Sequence, residues 1–435
     1  MDWKKLKRIH FVGIKGIAMA ALAVWAKEAG YNVTGSDVRD EFPSDDVLKK
    51  AHIPVRQFGK IPLCDLVIYT GAHNGCDNPE VRQAMQKDIP VLAHGIALGE
   101  VMQPYRQISV AGSHGKTTTS AMVATILSSA GYNPSWAIGC GEIRGLGLSG
   151  HFGRGNIFVA EADEYVTDPG HDMTPRFLWQ KPDILMITNI EYDHPDAYAS
   201  LKDVQAAFSA LQSRAQMTIM LKDFQIQHIR FSHERTFFYL AFRGMYLGEF
   251  TLKVPGRHNV KNAGLAITAC MELGVSHEKI VQGLLAFGGT KRRFELVGDV
   301  GKAMVYDDYA HHPTEIRATL AAAREWYPKN RMIAVFQPHT YSRTKALMSD
   351  FSNAFTDANI VILSDIYASA RENDTLGISG KTLMEETAQH HLHVFYAPNY
   401  TSVEKFLSKT MQPEDVIIFM GAGDIYGWSR KFIQA

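Results

Sequence analysis

The stretch Gly112-Ser113-His114-Gly115-Lys116-Thr117-Thr118-Thr119 constrains this chain more than any other. Before it, Gln107 to Ala111 reads as a buried strand; after it, Ser120 to Leu127 reads as a helix. A strand, a glycine turn and a helix start gather several backbone N–H groups around one point. The helix dipole adds partial positive charge there, so the turn is a phosphate cradle. Lys116 reaches the outer phosphates as a point charge, and the Thr117 hydroxyl stands where a Mg2+ ligand belongs. The spacing departs from the common pattern, because Gly112 lies only three residues before Gly115 and Val110 holds the usual first-glycine place. The bland alternative is a helix N-terminus with a surface lysine. The strand context, Gly-Lys-Thr and a threonine at the helix start coincide against it.

A chain of 435 residues is too long for one core, so two or three domains are expected. Formal net charge is zero, which leaves no electrostatic footprint for nucleic acid or a membrane surface. Nucleotide binding must therefore come from local sites. Cys64, Cys76, Cys140 and Cys270 form no C-x-x-C pair, and free thiols in a large α/β chain fit a reducing cytoplasm. The apolar run from Gly16 to Ala26 is too short to span a bilayer and has no signal-peptidase-like site.

In chain order, Arg8 to Val12 is a strand, Gly13-Ile14-Lys15-Gly16 a turn, and a helix runs on to Gly30. The next strand ends at Ser36-Asp37, which puts an acidic residue about 20 positions past the glycines, as in dinucleotide sites. The G-x-x-G pattern is incomplete, so a nucleotide-diphosphate site and a plain βαβ packing turn both remain open. The loop after Asp65–Tyr69 carries His73, which reads as a loop histidine or as a site residue. Asn156 to Ala160 is a strand running into Glu161-Ala162-Asp163-Glu164, and Asp183 to Thr188 is another, running into Asn189 to Asp196. Both acidic clusters sit at strand ends on the edge that carries the phosphate turn. Mg2+ neutralising phosphate charge needs carboxylates there, which singles out Glu161; His194 is a weaker ligand for Mg2+.

Residues 215–255 look antiparallel. Asn259 either caps the helix that follows or pairs with an adenine edge. Lys291-Arg292-Arg293 either face phosphate or form a solvated linker. The remainder alternates strand and helix as a third, mostly parallel α/β domain, with polar groups at strand ends in Asp307 to Pro313, Gln337 to Arg343 and Gly421 to Asp424.

Together these motifs resemble the Mur ligases, the ATP-dependent amide ligases that build the peptide of peptidoglycan. The resemblance rests on His10 to Ile14, Gly112 to Thr119, Glu161 to Glu164, Thr188 to His194, Gly256 to Asn262, Asp307 to Pro313 and Phe336 to Arg343. It implies an α/β fold of three domains. These are a Rossmann-like UDP-sugar domain (1–105), a central P-loop ATPase domain with a mostly parallel sheet (106–297), and a Rossmann-like C-terminal domain (298–435) that closes over ATP and the amino acid. It implies that ATP phosphorylates the lactyl carboxylate of UDP-N-acetylmuramate and that L-alanine attacks the acyl phosphate. A cytoplasmic enzyme with Mg2+, or Mn2+ in its place, and no obligate protein partner would follow.

Carried over by residue, Gly112, Ser113, His114, Gly115, Lys116, Thr117 and Thr118 would hold ATP, with Lys116 at the transferred phosphate. Thr117 and Glu161 would hold one metal ion and His194 a second. Asn259 and Asn262 would lie near adenine, and Arg293 and Asp308 would reach ATP. Gly13, Gly16, Ser36, Asp37 and His73 would form the UDP-sugar site. His312, His339 and Arg343 would orient the amino acid or the muramyl end. Lys15 and Ala18 stand where the family's first loop usually has glycine, and Thr340 where many members have arginine. Glu161 to Tyr165 is also similar to the recycling branch that adds a preformed peptide. A P-loop switch or a sugar-nucleotide binding module is the reading from another class, but neither needs the acidic clusters or the third domain.

Overall fold

The computed structural model describes residues 1–232, 234–368, 372 and 374–434. The chain divides into two compact units. The first comprises Met1–Gln227, Tyr239–Thr251 and Lys261–Thr290; the second comprises His228–Phe238, Leu252–Val260 and Lys291–Ala435.

The first unit opens with strands β1 (Arg8–Val12), β2 (Asn32–Asp37), β3 (Val55–Gln57), β4 (Leu66–Tyr69) and β5 (Val91–Ala93). They form a parallel sheet in the order β3-β2-β1-β4-β5. The chain winds outward from β1 on one side and then crosses to β4 on the other. Strand order therefore reverses between β1 and β4, and open sheets of this kind bind ligands beyond the strand ends at that point. The helix Ile17–Glu28 ends before Gly30, whose φ of +98° suits the residue just past a helix end.

The same unit continues with β6 (Arg106–Ala111), β7 (Ser135–Ile143), β8 (Gly147–His151), β9 (Ile157–Ala162), β10 (Val166–Asp168), β11 (Asp172–Pro175), β12 (Ile184–Ile187) and β13 (Met217–Met220). Six of them form a sheet in the order β13-β12-β6-β9-β7-β8, parallel except for the edge strand β8; β10 and β11 form a separate antiparallel ribbon. Strand β9 runs through Glu161 and Ala162 instead of stopping at Ala160, because Glu161 pairs in register with Val110 of β6. Residues 217–220 are parallel to β12, so the antiparallel reading holds only for β14 (Phe224–Ser232), β15 (Arg235–Phe242) and β16 (Met245–Leu252).

The first and central sheets share one core. Met19 to Ala26 are all buried, and they pack in a cluster with Ile9, Phe11, Ala137, Phe158 and Ala160. A helix covered on both sides by sheets is apolar all round, which is why Gly16–Ala26 looked like a continuous run. Trp25 meets Phe158 at 5.9 Å between ring centroids.

In the second unit β17 (Glu295–Val300), β18 (Ala303–Asp308), β19 (Met332–Phe336), β20 (Ile360–Leu363), β21 (Val394–Tyr396) and β22 (Val416–Met420) form a sheet in the order β17-β18-β22-β19-β20-β21. Only β17 is antiparallel to its neighbour. Apolar clusters cover both faces, one around Leu320, Phe336 and Phe355, the other around Val335, Phe419 and Trp428. Among the described residues no helix is long and apolar enough to cross a membrane.

Candidate active site

The phosphate turn follows β6, and the helix Lys116–Ser129 begins at its lysine. Gly112 has φ +139°, and a Cβ there would stand 1.9 Å from Thr188 Oγ1, so only glycine fits. Strands β6 and β12 are parallel neighbours with Ala111 opposite Ile187, so their trailing loops leave side by side. The loop after β12 then braces the turn. The His114 N–H donates to Asn189 Oδ1 at 2.9 Å, the Glu191 N–H donates to Ser113 Oγ at 2.8 Å, and the Thr188 hydroxyl donates to the His114 carbonyl. Thr117 and Thr118 lie buried in the first helical turn, whose N–H groups have no partner within the helix.

Lys116 is folded onto this turn. Its ammonium donates to the Gly112 carbonyl at 2.5 Å and to Glu164 Oε2 at 2.7 Å. Burial alone would lower its pKa, but Glu164 and Asp163 outweigh burial and raise it. Lys116 therefore stays charged at neutral pH.

Glu161, at the end of β9, accepts the Gly139 N–H at 2.6 Å. Asp163 pairs with Arg176 at 2.9 Å. Burial opposes its ionisation, but Arg176, Lys116 and His194 together hold its pKa down at about 2. Glu164 is buried and also lies 3.7 Å from His194 Nε2. His194 adopts φ +58° and packs its ring 4.9 Å from that of Tyr165. The Tyr165 hydroxyl donates to Asp196 at 2.6 Å. Lys116 and His194 thus meet through Glu164, a residue the sequence reading grouped with the acidic cluster without giving it a part. No spacing rule finds such a partner, because it depends on how β9 and the helix start converge. Thr117 and Glu161 supply hydroxyl and carboxylate oxygens, a donor chemistry that suits a hard divalent cation, while His194 supplies nitrogen.

Asn262 belongs to the helix Arg257–Glu272 and lies against the turn: a Cβ on Gly115 would come within 2.7 Å of Asn262 Oδ1. Asn259 sits one turn earlier in the same helix, and its amide donates to the Pro255 carbonyl at 2.7 Å. Asn259 is the third residue of that helix and stands inside its first turn, so it does not hold the cap position that the capping alternative required.

At the first sheet's switch point Gly13 has φ +78°, and a Cβ would lie 2.3 Å from Thr70 Cγ2. The Gly13 N–H donates to the Ser36 carbonyl at 2.8 Å, the Lys15 N–H to Asp37 Oδ2 at 2.7 Å, and the Gly16 N–H to the Gly13 carbonyl at 3.2 Å. Asp37 is buried, which raises its pKa, and His73 Nε2 lies 3.5 Å from its Oδ1. Gly13, Gly16, Ser36, Asp37 and His73 are therefore gathered as a group. Beneath them is a charge the sequence reading missed. Glu80, fully buried, accepts from the Ser36 hydroxyl and from the Gly59 N–H at 2.7 Å, and it is ion-paired with Arg56 Nη2 at 3.0 Å, with His10 Nε2 at 3.3 Å. Its only sequence signal is the Asn78-Pro79 helix start just before it.

In the second unit Asp308 is buried. Its carboxylate accepts from the Phe294 N–H at 2.7 Å and the Ala310 N–H at 2.8 Å. Burial pushes its pKa up to about 6 against the pull of Arg293. Arg293 lies 3.3 Å from Glu315. Arg292 is not a solvated linker residue. It is buried, donates to the Gly421 carbonyl at 2.6 Å and lies over the rings of Tyr309 and Tyr426. His312 caps the helix Pro313–Trp326 through Nδ1, which accepts the Thr314 N–H at 3.3 Å. His339 stacks on Tyr367, with Arg343 Nη1 at 3.5 Å from its Nδ1. Thr340 adopts φ +70°.

Three family descriptions match the chain: Mur ligase family, catalytic domain, over residues 8–106; Mur ligase middle domain, over 110–225; and Mur ligase, glutamate ligase domain, over 292–423. The UDP-N-acetylmuramate–L-alanine ligase of Desulfitobacterium hafniense (strain Y51) is 40% identical over 454 residues, covering 98% of this chain and 99% of that protein. The crystal structure of the UDP-N-acetylmuramate–alanine ligase of Thermotoga maritima superposes with a TM-score of 0.84 at 28% identity, covering 99% and 98% of the two chains. A murein peptide ligase from Psychrobacter arcticus 273-4 shares the fold, with a TM-score of 0.70 at 24% identity and 98% coverage of each chain.

Proposed function

The chain belongs to the Mur ligase family, and from that premise we propose that it joins L-alanine to the lactyl carboxylate of UDP-N-acetylmuramate at the expense of ATP. The observation that carries this reading is end-to-end similarity to an alanine-adding ligase together with a braced phosphate turn whose lysine is charged and held by a buried carboxylate. A carboxylate is a poor acyl donor until one oxygen becomes a leaving group. A carboxylate oxygen attacks the γ-phosphorus of ATP, and ADP leaves. The amine of L-alanine then attacks the acyl carbon, inorganic phosphate departs with that oxygen, and one proton is released. No enzyme nucleophile is required, so the protein's part is positioning and charge neutralisation.

We assign Lys116 to the transferred phosphate, the first-turn N–H groups with Gly112 to Thr118 to the triphosphate, and Asn259 and Asn262 to the adenine. Thr117 and Glu161 would hold Mg2+, with His194 at a second ion that Mn2+ suits better; such an ion supplies neutralisation of phosphate charge. Gly13, Gly16, Ser36, Asp37 and His73 would hold the UDP-sugar. In the second unit, Arg293 and Asp308 are assigned to ATP, and His312, His339 and Arg343 to the amino acid or muramyl end. ATP and a nucleotide sugar as substrates place the reaction in the cytoplasm. Isotope transfer tests the chemistry. UDP-N-acetylmuramate carrying 18O in the lactyl carboxylate should yield phosphate with one 18O per amide formed. Unlabelled phosphate alongside labelled amide would contradict the acyl phosphate.

A further inference from the structure

A second group of donor atoms lies away from Lys116, where the segment after β4 meets the ribbon β10–β11 within the first unit. Cys76, Asp77 and His171 each offer one donor atom, and these all lie within 4.8 Å of one another. His171 Nε2 is 3.0 Å from Asp77 Oδ2, while Arg82 donates to the other carboxylate oxygen at 2.9 Å, so Oδ2 is turned to the cluster. Asp168 ties the two sides together. Its Oδ2 accepts the Cys76 N–H at 3.0 Å, and its carbonyl accepts the His171 N–H at 3.0 Å. Asp168 is only 2% exposed, and its Oδ1 is buried without a hydrogen bond, pressed against Gly75 so closely that a Cβ there would come within 1.8 Å of it. A thiol, an imidazole and a carboxylate oxygen whose donor atoms converge, with a further buried carboxylate behind the thiol, form an arrangement whose charge a cation would balance.

We propose that Cys76, Asp77 and His171 bind a divalent cation of the Zn2+ class, with Asp168 behind them and a fourth position open to water. Sulfur, nitrogen and one carboxylate oxygen are the donors of Zn2+ and its neighbours, whereas Mg2+ and Ca2+ take oxygen. On binding, the sulfur–metal bond replaces the S–H bond and the proton goes to buffer. Arg82 on Asp77 is the kind of outer contact that orients a metal ligand. The ion would clip the segment that carries His73 to the ribbon beside the central sheet. The site is independent of the ligase reading, since it shares no residue with it.

The full-length protein, freed of metal by chelation, should be titrated with Co2+ alone, without nucleotide. A thiolate-to-cobalt charge-transfer absorption should appear, and Zn2+ should abolish it by displacement. Cys76→Ser should remove the band, and His171→Gln, at a surface position, should weaken Co2+ binding about tenfold or more. Both variants should match the parent in metal-free melting temperature and in amide formation. Cys64, Cys140 and Cys270 are all buried, so they offer no alternative thiolate at the surface. Absence of the band in the parent, its survival in Cys76→Ser, or unaltered affinity in His171→Gln would each overturn the proposal.

Discussion

Two turns in the first unit have the same grammar: strand, Gly-x-x-Gly, helix. They do different things with it. After β1 the turn is closed by its own neighbours, because Gly13, Lys15 and Gly16 all spend their N–H groups on Ser36, Asp37 and Gly13. Its lysine side chain leaves the turn: Lys15 reaches the Asp40 carbonyl at 2.7 Å and Asp45 at 3.2 Å. What remains at the switch point is a buried carboxylate, Asp37, which suits hydroxyl groups of a sugar. After β6 the bracing comes from the loop that follows the neighbouring strand β12, the helix start keeps its N–H groups, and the lysine turns inward onto Glu164. One turn carries a fixed anion and the other a fixed cation. Where the lysine falls relative to the second glycine, one residue before at Lys15 and one after at Lys116, separates the two.

The largest test of this contrast is Lys116→Ala. It should cut amide formation about 1000-fold or more while UDP-N-acetylmuramate binding, followed by calorimetry, is retained. Loss of both in a folded protein would break the contrast. Next, Gly13→Ala should destabilise by about 2–3 kcal/mol, from left-handed backbone plus collision with Thr70. Adding Thr70→Ser removes the colliding Cγ2 and should restore part of that in urea melts. Glu164→Gln leaves the lysine charge without its buried partner and should cost about 2 kcal/mol of stability. Asp37→Asn should raise KM for the UDP-sugar about tenfold with kcat nearly unchanged, the pattern of a binding group remote from the chemistry. The smallest effect is in pH dependence. Asp163 ionises at about 2 when folded, below its unfolded value of about 4. Its contribution is present above pH 4 and lost as pH falls towards 2, so Asp163→Asn should flatten acid unfolding in that window.

Much of the fold was legible because of one physical fact: strands buried on both faces are continuous apolar runs. Met332–Phe336, Ile360–Leu363 and Val416–Met420 are such runs, and they form the mostly parallel sheet expected of the chain's last third. Strands β3, β7, β8, β10, β11 and β17 were missed, since they are glycine-containing, polar or short elements without that signature. Glycine turns and acidic strand ends were legible as local chemistry, and Asn262 through the family resemblance. Glu80, Arg292 and the role of Glu164 were not, because a buried charge is placed by partners distant in sequence, and those partners are known only once the strands are ordered.

The most direct test of the account measures phosphate release with ATP, Mg2+ and UDP-N-acetylmuramate, adding L-alanine, glycine, L-serine or L-Ala-γ-D-Glu-diaminopimelate in turn and weighing the product. Release should be strongest with L-alanine, with a product heavier by one alanyl residue. Release only with the tripeptide, or release with no amide formed, would contradict it.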